Sequence, residues 1–123
     1  MNTAQDHIDK ARHNADFLAL IPLADDQYAD WAVVVLFYRA LHLLSAALHA
    51  LQTSHGHSHS RRNAAVQSAF PEAVSVSYDR LYSRSRLVRY DQVSLALSDY
   101  NQLLSNDFSP ILSEVHKHFP TAV

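Results

Sequence analysis

Apolar residues recur along the chain at three- and four-residue intervals, the spacing of one face of a helix. The longest apolar stretch, Tyr28–Gln52, organises the rest. Its first half, Trp31–Tyr38, is apolar all round. In its second half Ala40, Leu43, Leu44, Ala47, Leu48 and Leu51 share one side, and Arg39, His42, Ser45, His49 and Gln52 share the other. This predicts a central helix, buried on every side at one end and carrying an Arg/His stripe at the other. Before it, Ile8, Ala11, Ala15, Leu18 and Ile21 form an apolar stripe, with His7, Lys10, His13 and Asn14 mainly off it. Thr3 followed by Asp6 predicts the start of this first helix, and Pro22 its end. The short polar link after Pro22 makes the two helices antiparallel neighbours.

After the central helix, Thr53–Ser60 is a loop holding the only glycine, Gly56. Ser60 is the expected cap of a short third helix over Arg61–Phe70, closed by Pro71. Residues 72–77 are ambiguous, because Val74 and Val76 alternate as in a strand that has no visible partner. Helical spacing returns at Tyr78 with Leu81, Ser85 and Val88. A last long helix is predicted from Val93, Leu97, Tyr100, Leu104, Phe108, Ile111, Val115 and Phe119. Pro110 requires a kink there, or a restart capped by Ser109. The expected fold is all-α: one domain over 1–123, an up-and-down bundle of four to five helices with a short helix crossing one end.

Composition narrows the chemistry. With no cysteine among 123 residues there is no disulfide, zinc ribbon or thiol nucleophile, and with one glycine there is no Gly-rich phosphate loop. The polar N-terminus lacks the apolar core of a signal peptide, and Arg39, His42 and His49 interrupt the central helix as a membrane span. The chain is expected to be cytoplasmic, with no membrane partner. Net charge is −2 overall, but −3 over residues 1–60, +4 over 61–90 and −3 over 91–123. Every positive charge in the basic middle is an arginine, the side chain that forks onto phosphate.

Within that middle, YDRLYSRSRLVRY interleaves tyrosine with arginine. Arg80 and Arg84 share one helix face, and Arg86 and Arg89 share another. Arginines holding phosphates beside rings that stack on bases suit a nucleic-acid surface. The alternative is structural Arg–carboxylate pairing, with Tyr78, Tyr82 and Tyr90 half-buried. His55, His57 and His59 alternate in the glycine loop and would point the same way in extended chain, an arrangement able to bind zinc or nickel. No hydrolase, Walker or zinc-protease motif is present. Arg, His, Tyr and Asn remain, a set that can promote metal-independent RNA cleavage by the RNA 2′-hydroxyl.

Three stretches are similar to the HEPN superfamily (higher eukaryote and prokaryote nucleotide-binding), in particular its small bacterial single-domain members. ADWAVVVLFYRALHLLSAAL, residues 29–48, resembles the family's long second helix. HSRRN, residues 59–63, resembles an HxxRN signature, and SRLVRY, residues 85–90, an SRxxRY signature before the last helix. With HIDKARHNADFL near the start, the likeness spans most of the chain. The resemblance implies a dimeric four- to five-helix domain. It also implies an RNA-binding or nucleotide-binding role, in many members a metal-independent endoribonuclease of toxin–antitoxin or phage-defence systems. The family's usual Arg-x(4–6)-His motif is absent: Asp91, Gln92 and Val93 follow Arg86 at that spacing, and Ser94, Leu95 and Ala96 follow Arg89.

A variant site is therefore expected. His59 would handle protons, and Arg86 and Arg89 would hold phosphate. Arg39, His42, Arg62, Asn63, Arg80, Arg84 and Tyr90 would bind substrate, with no cofactor and no metal. The alternatives are a non-catalytic scaffold domain partnering a nucleotidyltransferase or a defence protein, and a helical module binding metal through the histidine loop. The apolar surface of the second and last helices favours a homodimer.

Overall fold

Thr3 opens the chain's first helix with a reciprocal cap. The Asp6 amide donates to Thr3 Oγ1 at 3.1 Å, and the Thr3 amide donates to Asp6 Oδ2 at 2.8 Å. In the computed structural model, which describes residues 3–53, 55, 56 and 58–123, this helix α1 runs Ala4–Leu20. Pro22, which cannot continue a helical ladder, lies two residues beyond its end. Ala11 and Leu18 are buried and Ile8 packs beside them. His7 departs from the expected pattern: it is 8% exposed and faces inward.

Helix α2, Ala29–Ala50, is the core. It touches every other helical element. Leu36, Leu43, Leu44 and Leu48 are each fully buried, and each contributes about 2 kcal/mol of apolar burial. By length and composition α2 could cross a membrane, yet most of it is buried inside the bundle. Its apolar first half is not wholly enclosed, since Trp31 stays exposed. The helix ends in a Schellman turn. The Thr53 amide reaches Leu48 O at 2.9 Å and the Gln52 amide reaches His49 O at 3.0 Å. Gln52 takes the left-handed position usually given to glycine, with φ of 57°.

Helix α3 spans His59–Ala69. Its cap is Ser58 rather than Ser60: the Arg61 amide donates to Ser58 Oγ at 3.1 Å. The cap lies two residues earlier because Ser58 is the residue in extended backbone. Helix α4 is continuous over Glu72–Tyr90, so the strand-like alternation at Val74 and Val76 is overridden. Val74, Tyr78, Leu81 and Ser85 are buried at helical spacing while Val76 is exposed. With no partner strand to satisfy its backbone, the segment satisfies it internally.

The last helix begins later than its apolar period suggests, and Val93 lies outside it, exposed. It comprises α5, Leu97–Leu103, a π turn at Leu104–Phe108, and α6, Ser109–Val115. The Leu97 amide is capped by Asp26 Oδ1 at 2.8 Å, and the Ala96 amide by Asp99 Oδ2 at 2.8 Å. Pro110 falls in the first turn of α6, as the restart reading expects, and the backbone stays helical through Phe108 and Ser109. The π turn just before it widens the ladder, where a missing N–H and a ring are accommodated. Counting this rod as one, the molecule is an all-α bundle of five helices, with no strand among the described residues. Phe119 and Ala122 fold back, and His116 Nε2 donates to Ala122 O at 2.8 Å.

Candidate functional site

Pro71 separates α3 from α4, and the two helices pack on each other and on α2. That places the first turn of α3 against the last turns of α4. Between them and α2 lies a cleft of about 350 Å³, lined by His59 and Arg62, by Tyr82, Arg86, Arg89 and Tyr90, and by Phe37, Tyr38 and Leu41. Five residues singled out in the sequence, His59, Arg62, Arg86, Arg89 and Tyr90, thus converge.

Each is held by its neighbours. The His59 ring stacks on Tyr82 with centroids 3.3 Å apart and planes 7° from parallel. Its Nδ1 is buried without a hydrogen-bond partner. Burial lowers the His59 pKa; Asp79 opposes this, and Arg62, Arg86 and Arg89 add to it. The ring is therefore neutral at neutral pH, suited to accepting a proton. Arg86 is exposed and donates from Nη1 to the Tyr82 hydroxyl at 3.1 Å, a bond that raises its pKa. Arg89 donates from Nη1 to the Tyr38 hydroxyl at 3.0 Å. Its guanidinium also lies 5.0 Å from the Tyr90 ring centroid and 5.6 Å from that of Phe37. Tyr90 is exposed, Tyr82 half-buried and Tyr78 fully buried. Burial raises the Tyr78 pKa, and the nearby Arg62 works against that rise.

The remaining sequence candidates lie elsewhere. Arg80 and Arg84 line a separate polar cavity of about 270 Å³ with Asp99, Gln102, Asn106 and Asp107. Arg80 is committed there to Asp107 by an ion pair at 2.5 Å. Arg39 packs over the Phe108 ring, 4.4 Å from its centroid, and burial lowers its pKa. Asn63 is half-buried beside Arg62 and does not line the cleft. His42 meets His7, Nδ1 to Nδ1 at 3.0 Å, and burial with the adjacent His7 lowers its pKa to about 4. The stripe Arg39–His42 therefore does not border the cleft; α2 offers it Phe37, Tyr38 and Leu41 instead. Nor do His55 and His59 stay together. His59 faces Tyr82, His55 lies near His49 and His7, and His57 lies outside the described residues.

Phe37, Tyr38, Leu41 and Tyr82 are the cleft residues without a site role assigned from sequence, and two of them, Tyr38 and Tyr82, are polar. Tyr82 carries a local signal, four residues before Arg86 in the Arg/Tyr segment. Tyr38 carries none, since its partner Arg89 lies 51 residues away. Compared with known families, characterised proteins and solved structures, the chain matches none.

Proposed function

We propose that the chain is a HEPN-like domain whose α3–α4 cleft binds RNA, one nucleotide unit in the cleft and the flanking phosphates on its arginines. The observation that carries this reading is the convergence of Arg62, Arg86 and Arg89 with the Tyr82 and Tyr90 rings around one cavity. Its volume of about 350 Å³ lies in the range of small-ligand sites. Guanidinium groups neutralise phosphate, and exposed rings such as Tyr90 offer a base a stacking face.

The same cleft supports a metal-independent cleavage. Neutral His59 takes the proton from a ribose 2′-hydroxyl, the freed oxygen attacks the adjacent phosphorus, and the P–O5′ bond breaks to leave a 2′,3′-cyclic phosphate and a 5′-oxygen that takes a proton from water, while Arg86 and Arg89 hold the non-bridging oxygens as charge builds. A homodimer belongs to this proposal. A cluster of exposed apolar side chains lies at the α1–α2 connection: Phe17, Leu20, Tyr28 and Trp31.

The test is incubation of the protein with a mixed single-stranded and structured RNA pool in EDTA, reading fragment ends alongside binding. Cleavage leaving 2′,3′-cyclic phosphate ends, lost in Arg86→Ala, is the expected result. Salt-sensitive binding without cleavage, weakened in Arg86→Ala and Arg89→Ala, reduces the role to RNA binding. Neither binding nor cleavage overturns the proposal and leaves a protein-binding scaffold.

A further inference from the structure

A second cluster of titratable side chains lies outside the cleft. His7 from the second turn of α1, His49 from the last turn of α2 and His55 from the following loop place one ring nitrogen each within 4.8 Å of one another. Their ring centroids are 5.4 Å apart for His7 and His49, 5.2 Å for His49 and His55, and 6.4 Å for His7 and His55. Three imidazoles from three separate parts of the chain rarely meet for packing alone, since like groups of this kind repel once protonated.

The surroundings of the rings fix what they can offer. His55 Nδ1 lies 3.3 Å from Thr53 O. A carbonyl only accepts, so Nδ1 carries the proton and Nε2 keeps its lone pair. His7 Nδ1 is bonded to His42 Nδ1 at 3.0 Å; with His7 as the donor of that bond, its Nε2 carries the lone pair a metal takes. Histidines that ligate metals characteristically hand their second nitrogen to a carbonyl or other polar group in this way. Burial and the two neighbouring histidines lower the His7 pKa, so its ring is neutral near pH 7. Gly56 takes a φ of +57° in this loop, and a Cβ added there would meet Arg61 Cδ at 2.8 Å.

We infer that His7, His49 and His55 form a binding site for one borderline divalent transition-metal ion of the zinc class, with His42 orienting His7. Imidazole ligands select such ions over magnesium or calcium, and three of them leave a fourth tetrahedral position for water. The ion ties the start of α1 to the end of α2 and to the loop that leads into α3. This site differs from the alternating set His55, His57 and His59, because His59 faces the other cleft. It is also independent of RNA binding.

The test uses the full chain, stripped with EDTA and dialysed at pH 7.5 against micromolar Zn²⁺, with Co²⁺ as a spectroscopic probe. One ion per chain is expected, with the visible absorption of tetrahedral Co²⁺ and a higher melting temperature in its presence. His49→Ala is the lead variant because His49 is exposed and its loss leaves the fold intact. It and His55→Ala are expected to weaken Zn²⁺ binding at least about 100-fold, and His42→Ala about 10- to 100-fold. His59→Ala is expected to retain binding. No stoichiometric uptake overturns the inference. So does uptake that survives His49→Ala but is lost in His59→Ala.

Discussion

Replacing Arg80 by alanine tests whether the basic middle of the chain serves one role or two. Arg80 on α4 meets Asp107 on the π turn at 2.5 Å, with side-chain exposures of 47% and 3%. The arginine is half in water and the carboxylate is not. Arg80→Ala therefore leaves a buried charge without its partner. Breaking a fully buried pair in this way costs about 3–5 kcal/mol. Because the Arg80 side is solvated, water can reach the vacated space, and the expected cost is nearer 2–3 kcal/mol. At about 4 °C per kcal/mol for a domain of this size, the melting temperature falls by roughly 10 °C. Asp107→Ala exposes only a solvated arginine and should cost roughly 1 kcal/mol. In the double variant the orphaned carboxylate is gone, so the two losses do not add. Urea unfolding followed by circular dichroism on the four proteins gives the coupling energy directly. A loss under 0.5 kcal/mol in Arg80→Ala, or strict additivity in the double variant, refutes the structural assignment. RNA affinity measured well below the melting transition should be unchanged in Arg80→Ala and reduced in Arg86→Ala. Equal losses in both would return Arg80 to the RNA surface.

Three further outcomes follow from the same structure. Tyr38→Phe keeps the ring beside Phe37 but removes the hydroxyl that accepts from Arg89 at 3.0 Å. RNA affinity should fall roughly 3- to 10-fold in a filter-binding titration while the melting curve is retained. Because the His59 pKa is lowered, its neutral form persists below pH 6.5. Cleavage by a His59 base therefore falls off only as pH drops below that value, and an acidic limb centred above pH 6.5 in the pH–rate profile removes His59 from the role. Gln52 holds a φ of 57° at the C-terminus of α2. Gln52→Gly relieves the left-handed strain and should raise unfolding free energy by about 1 kcal/mol in urea denaturation.

What the sequence makes legible is what local geometry determines. The Thr3–Asp6 cap, the period of α1 and α2, and the division of Arg80 and Arg84 from Arg86 and Arg89 all follow from residues within one or two turns. The division holds: one pair lines the Asp107 cavity and the other the cleft. Burial of His7 is not legible, because it depends on His42, 35 residues away. The π turn is equally hidden, since the apolar period runs through it without a break.

The long-range features also explain why polar candidates read together from sequence separate in space. Arg39 and His42 sit three residues apart on one helical stripe, yet one packs over Phe108 and the other meets His7. The rotation between them is enough to reach different neighbours around a helix packed on several sides. Arg62 links what the stripe does not. Its charge helps lower the pKa of His7 and His42 on one side and of His59 on the other. Burial is the larger cause for all three, and Arg62 adds to it on both sides. The Arg-rich stretch then has two tasks rather than one: Arg80 anchors the π turn, and Arg62, Arg86 and Arg89 face the proposed RNA.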